Sequence, residues 1–210
     1  LIPPIRITRV LKPISKCGDV YDFGEAVSGW AKIRVQGRKG TKITLIYSEI
    51  AENGEIFPND INMFTSGKLK HTDIYIMNGE GIEEWSPSFL YHAFRYVKVS
   101  GAPESFEICA EVLHTDLKIR GSFRCSDEML NKIHMASVRS TLYNFHSIPT
   151  DCPHREQNGW TGDTLISANQ SLMNFDMLEA YRKWLYDFKD VQRKSGQLPG
   201  IIPTSGWGFK

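Results

Sequence analysis

Residues 149 to 163 read Pro149-Thr-Asp-Cys-Pro-His-Arg-Glu-Gln-Asn-Gly-Trp-Thr-Gly-Asp163, and no other stretch of the chain is as dense in reactive groups. Asp151, Glu156 and Asp163 stand there beside Arg155 and Trp160. Carboxylates and a guanidinium can accept from and donate to hydroxyls, while an indole offers a flat face to the apolar side of a sugar ring. Carboxyls gathered in a partly buried pocket also oppose one another's ionisation, so one of them can keep its proton and act as a general acid. An acid beside the leaving oxygen and a second carboxylate as base or nucleophile are what glycoside hydrolysis needs. Taken singly, each residue has a plainer use. Asp151 and Asp163 equally suit turns or helix caps, Glu156 a surface pair with Arg155, and Trp160 a core. Their density between two apolar helices favours a pocket, although spacing alone names no reaction.

The prolines and glycines of this stretch forbid a continuous helix, so it must be a loop joining two helices. Upstream, Ser126 is expected to cap a helix with Asp127 and Glu128 in its first turn. Met129, Ile133, Ala136 and Tyr143 share one face of that helix; Leu130, Val138 and Leu142 occupy others. A helix so nearly apolar all round should be enclosed by further helices. A second helix is predicted over about 163–173. The third is predicted from the stripe Met177, Leu178, Tyr181, Trp184, Leu185, Phe188 and Val191, with Asp176 as its cap and Gly196 after its end.

Before residue 116 the period is two. Ala31, Ile33 and Val35 alternate with Lys32, Arg34 and Gln36, and Ile43, Leu45 and Tyr47 repeat the pattern after Gly37-Arg-Lys-Gly40, which predicts a hairpin. Similar runs at 20–23, 73–77, 83–89, 94–99 and 107–113 are separated by Gly, Pro, Asn and Ser, as in an antiparallel β-sandwich. Strands first and helices second imply two domains, 1–118 and 119–210. About three helices make a poor independent core, so the helical part is expected to be the truncated start of a larger one and the chain a fragment of a longer protein.

Composition narrows the function classes. With 25 Lys and Arg against 24 Asp and Glu, scattered along 210 residues, the chain has no field to hold nucleic acid or an anionic membrane. Its apolar runs are too short for a bilayer span, and Leu1 to Thr8 lack the regions of a signal peptide. Four cysteines without a CxxC pair argue for structural or buried thiols rather than a disulfide scaffold or a zinc site, so neither metal nor cofactor is expected.

Asp151-Cys-Pro-His-Arg-Glu156 followed by Gly159-Trp-Thr-Gly-Asp163 closely resembles the signature of bacterial α-L-rhamnosidases, glycoside hydrolase family 78. The resemblance extends through Val20-Tyr-Asp-Phe-Gly24, Ser28-Gly-Trp30, Phe89-Leu-Tyr-His-Ala-Phe-Arg-Tyr-Val97, Gly121-Ser-Phe-Arg-Cys-Ser126, Leu198-Pro-Gly-Ile-Ile-Pro203 and Gly206-Trp-Gly208. It implies a β-sandwich followed by the first helices of an (α/α)6 six-hairpin barrel, and inverting hydrolysis of terminal α-L-rhamnosyl groups in glycosides or oligosaccharides. It implies that Glu156 is the general acid, that Asp151, Arg155, Trp160 and Asp163 hold the sugar, and that Trp207 adds a pocket wall. His154 and the pair Gln157-Asn158 depart from many members, in the lining. The family's general base is a Glu from a later barrel segment, and no residue here matches it. The fragment is therefore expected to be inactive, with its helical faces exposed or covered by a second copy in a homo-oligomer. The competing reading is a carbohydrate-binding protein whose helical pocket is degenerate.

Overall fold

The computed structural model describes residues 2–57, 71–204, 206, 208 and 209. Among the described residues ten strands precede three helices: β1 (Ile5–Leu11), β2 (Ser15–Cys17), β3 (Val20–Gln36), β4 (Lys42–Ser48), β5 (Ala51–Glu52), β6 (Glu55–Ile56), β7 (Thr72–Ile76), β8 (Ile82–Trp85), β9 (His92–Ser100), β10 (Ser105–Thr115), α1 (Glu128–Tyr143), α2 (Thr161–Asn174) and α3 (Leu178–Val191). The chain divides into two compact units, Ile7–Leu113 and Leu1–Arg6 with His114–Lys210.

The first unit is a curled antiparallel sheet in the order β1-β10-β3-β9-β4-β7, with β2 and β8 also on β3 and a separate β5-β6 pair. The alternation read from the sequence places the faces correctly: Ala31, Ile33, Val35, Ile43, Leu45 and Tyr47 are all buried. It does not choose neighbours. The expected hairpin across Gly37-Arg-Lys-Gly40 is absent, because β9 lies between β3 and β4 and pairs Val97 with Tyr21 on one side and Tyr47 on the other. The runs at 20–23 and 31–35 are one strand, β3, whose register against β9 shifts between Asp22 and Val27. There the Asp22 carboxylate accepts from the Gly24 N–H, and Gly24 has a φ of 84°, in the region that favours glycine. The expected strand 83–89 stops at Trp85, ahead of Pro87, and Phe89 is fully exposed with a φ of 65°.

A polar network sits inside this apolar core. The Tyr47 hydroxyl donates to Asp73 Oδ2 at 2.6 Å and accepts from the Ala31 N–H, while His92 Nε2 lies 3.1 Å from the same carboxylate oxygen. The Tyr47 and His92 rings stack with centroids 3.9 Å apart. Burial first, and the Asp73 charge second, push the Tyr47 hydroxyl well above its ordinary value, so it remains a donor.

In the second unit α1 starts one residue later than expected: Asp127, not Ser126, is the cap, accepting from the N–H groups of Met129 and Leu130. For α3 the cap position is Met177, and Asp176 accepts only a long bond from the Leu178 N–H. Leu117, Phe145, Phe175, Met177 and Ala180 form the core of this unit, with Val138, Leu142 and Tyr181 against it. No helix among the described residues encloses α1, and its apolar faces are exposed as expected from the sequence. None of its residues is buried, and Met129, Leu130, Ile133 and Met135 are exposed, as are Leu165, Ile166, Leu172 and Met173 of α2. The four thiols are free, in line with expectation, but not buried: Cys17 is exposed and Cys109, Cys125 and Cys152 are partly so.

Two outcomes test this reading of the sandwich. Tyr47→Phe removes a donor from a buried carboxylate and should lower the stability measured by urea unfolding by about 1–3 kcal/mol; an unchanged midpoint would show that Asp73 does not rely on the hydroxyl. The side-on bond from Arg95, with donors 2.8 and 2.9 Å from Asp22, holds the Asp22 carboxyl below its usual range. Because the folded value lies below the unfolded one, this contribution is present above the ordinary carboxylate pKa and is lost as the pH falls through the folded value. Asp22→Asn should therefore flatten the acid side of the stability profile and leave the neutral side parallel to wild type.

Candidate active site

The loop between α1 and α2 is bounded by bridges at both ends. Phe145 pairs with Pro149, and the Thr150 N–H donates to the Asn144 carbonyl at 2.7 Å. At the far end Trp160 pairs with Ile201, the Ile202 N–H donates to the Gly159 carbonyl, and the Thr161 N–H donates to the Gly200 carbonyl. A Cβ on Gly159 would sit 2.0 Å from the Ile202 carbonyl oxygen, so only glycine lets the two strands approach. That carbonyl also accepts from the Trp184 indole N–H of α3 at 2.8 Å.

Inside these bounds the loop closes on Asp151. Its N–H donates to the Asn158 carbonyl, and its Oδ1 accepts from the Asn158 N–H at 3.0 Å. Oδ2 accepts from the Cys152 thiol at 2.9 Å. The Cys152 sulfur accepts in turn from the Glu156 N–H at 3.2 Å. Burial and this contact with Asp151 raise the Cys152 thiol, which therefore stays protonated. Gln157 and Asn158, expected in the lining, belong to the closure itself: Gln157 has a φ of 55°, and its side-chain amide donates to the Pro153 carbonyl.

The carboxylate of Glu156, with 17% of its side chain exposed, accepts from the Trp160 indole N–H at 2.8 Å and lies 3.5 Å from Arg155 Nη2. The latter is at the limit of a hydrogen bond and acts as an ion pair. Three of the five expected residues described here, Arg155, Glu156 and Trp160, thus form one contact group. Asp151 and Asp163 share a different feature, a cavity of about 540 Å³ between α1 and α2, a size typical of small-ligand sites at roughly 300–1,000 Å³. Asp163 stands in the first turn of α2, where a carboxylate suits the helix N-terminus. Trp207 lies outside the described residues.

Sequence reading missed the rest of the cavity lining. Ser137, Ser140 and Thr141 of α1 and Asn144, its C-cap, face it with Ser167, Gln170 and Ser171 of α2. The signal was present as polar residues three and four apart on each helix, set against the apolar stripes that drew attention. Thr141 Oγ1 lies 3.1 Å from the Ser137 carbonyl and 2.8 Å from the Gln170 side-chain amide. The neighbouring atom of that amide is Gln170 Oε1, so both partners are acceptors and the single hydroxyl hydrogen serves one of them at a time.

Two family models match consecutive parts of the chain. Residues 118–210 match the model of the bacterial alpha-L-rhamnosidase 6 hairpin glycosidase domain, and residues 14–118 that of the bacterial alpha-L-rhamnosidase concanavalin-like domain. The chain is 39% identical over 192 residues to an alpha-L-rhamnosidase of Formosa agariphila, covering 89% of this chain and 19% of that protein. It is 31% identical over 224 residues to one of Streptomyces avermitilis, covering 98% and 21%. Among solved structures, the alpha-L-rhamnosidase from Dictyoglumus thermophilum superposes with a TM-score of 0.89 at 41% identity, over 100% of this chain and 24% of that one. The Streptomyces avermitilis alpha-L-rhamnosidase complexed with L-rhamnose gives 0.89 at 31%, over 98% and 20%. The chain spans about a fifth of the length of the curated relatives it matches.

The Gly159 contact yields a paired test. Gly159→Ala should destabilise the helical unit by about 1–3 kcal/mol, the range of overpacked sites. Gly162→Ala, at a helical position with open space around it, should be neutral or slightly stabilising. Thermal unfolding of both variants checks the pair; equal melting temperatures would show that the Ile202 backbone yields.

Proposed function

Since the chain belongs to the bacterial α-L-rhamnosidases of glycoside hydrolase family 78, we propose that the full-length protein hydrolyses terminal α-L-rhamnosyl groups with inversion. Residues 1–118 form its β-sandwich and residues 119–210 open its catalytic barrel. The observation that carries this reading is the Glu156 carboxylate, partly buried in the signature loop and held by the Trp160 indole and Arg155. A loop carboxyl fixed by its neighbours rather than left in solvent has the orientation that proton transfer requires.

In this mechanism Glu156 gives its proton to the glycosidic oxygen as the bond to the sugar breaks. Asp151 and Asp163 accept hydrogen bonds from the sugar hydroxyls, and the Trp160 ring meets the apolar face of the ring; Trp207 is assigned the same kind of contact from the resemblance. Water attacks from the opposite side, deprotonated by a second carboxylate. Inversion sets the two carboxyls roughly 6.5–9.5 Å apart, with room for that water, whereas retention would need about 5–5.5 Å. No residue of these 210 matches the family's base, so the base belongs to sequence outside this chain, and the chain by itself does not turn over substrate. Rhamnose-containing glycosides or oligosaccharides are the substrate class.

The experiment is leaving-group kinetics on the full-length protein. Glu156→Gln should reduce turnover most for poor leaving groups, which depend on protonation, by about 10²–10⁴-fold. Asp163→Asn should weaken good and poor leaving groups alike. Proton NMR should show β-L-rhamnose as the first-formed sugar, and the isolated 210 residues should show no hydrolysis above background. Release of α-L-rhamnose first, or a Glu156→Gln variant indifferent to the leaving group, would overturn the assignment. Rhamnose binding without hydrolysis by the full-length protein would favour the carbohydrate-binding reading.

A further inference from the structure

We infer that Cys152 is a positioning residue for Glu156, acting through its thiol; this rests on the reading of Glu156 as the acid. The side chain of Cys152 touches both ends of the machinery. Its S–H donates to Asp151 Oδ2 at 2.9 Å, and its sulfur accepts from the Glu156 N–H at 3.2 Å. Asp151 is itself pinned to Asn158 through backbone and side chain. The result is a ring of contacts, Asn158 to Asp151 to Cys152 to Glu156, closed covalently through Gln157. A thiol is a weak donor and a weak acceptor, and here both capacities are used.

The geometry explains why this position does more than fill space. Glu156 has its carboxylate held by Trp160 and its backbone N–H held by sulfur, so the side chain is fixed at both ends. Releasing the backbone end lets Cα of Glu156 drift while the carboxylate stays tethered to the indole, which misaligns the proton. Misplacement of a catalytic group by about 1 Å costs up to about 10²-fold in rate. The thiol's raised pKa is consistent with this role, since the bond to Asp151 needs the S–H intact.

Cys152 acts on the proton donor through the Glu156 N–H and on a sugar-holding group only through Asp151, so kcat should fall more than KM rises. In the full-length protein Cys152→Ala should lower kcat on an aryl α-L-rhamnoside by about ten-fold with KM within about two-fold. Cys152→Ser, which keeps one donor and one acceptor, should recover most of the loss. Hydrogen–deuterium exchange of the peptide spanning residues 151–160 should be faster in Cys152→Ala and near wild type in Cys152→Ser. Kinetic constants of Cys152→Ala within two-fold of wild type, or a serine variant as impaired as the alanine, would overturn the inference. Should Cys152→Ala not fold, Cys152→Val, which fills the space without the hydrogen bonds, takes its place with the same expectations. If wild type itself proves inactive on rhamnosides, the functional reading falls. Exchange then decides the thiol's part alone: unchanged exchange overturns it, and faster exchange reversed by serine supports it.

Discussion

The second unit is organised around one close approach, that of the Gly159 backbone to Ile202. The contact leaves no room for a side chain, and the Ile202 carbonyl at its centre is also the acceptor for the Trp184 indole of α3. From there the linkage runs without a gap: Trp184 to Ile202, Ile202 to Gly159, then Trp160 to Glu156 through a 2.8 Å bond. Helix packing some thirty residues downstream is thereby transmitted to a single carboxylate. The loop at 149–163 is irregular by Pro and Gly content, yet it is held as firmly as an element of secondary structure because its ends are paired and its interior is closed by Asp151.

Faces were legible in the sequence and neighbours were not. Alternation at Ala31, Ile33 and Val35 and at Ile43, Leu45 and Tyr47 reports which side is buried, a local property of each strand. Which strand lies alongside depends on β9, fifty residues later, inserting between β3 and β4, and no local pattern encodes that. Helix ends show the same limit on a smaller scale. Ser126 and Asp127 are both good caps, and the choice of Asp127 is made by the entry path of the chain rather than by residue type.

The candidate site divides similarly. Asp151, Arg155, Glu156, Trp160 and Asp163 stood out because they are close in sequence and rich in donors and acceptors. Their grouping did not, since Asp151 and Asp163 line a cavity while Glu156 is placed by Trp160, Arg155 and sulfur. Cys152 reads from the sequence only as one of four structural or buried thiols, because nothing in its sequence neighbours reveals a turn that brings the Glu156 N–H back onto it. The polar seam of α1 and α2, joined at Thr141 and Gln170, was masked by the apolar residues of the same helices, many of which remain exposed.

The register of β3 fixes an order of events at the ribosome. On one side its partners in the 29–36 stretch are residues 105–112 of β10, so the hydrogen bonds on that side cannot form until some seventy further residues have been made, whereas β8 reaches Ile33–Gln36 earlier. At about 5–20 residues per second this is a wait of roughly 4–14 s, during which a 17-residue strand of alternating apolar side chains lacks its final neighbour. The sheet closes only after β10 has emerged. Until then the open side of β3 can associate with other chains, so slow translation after β10 has cleared the exit tunnel would favour completion of the sheet over aggregation.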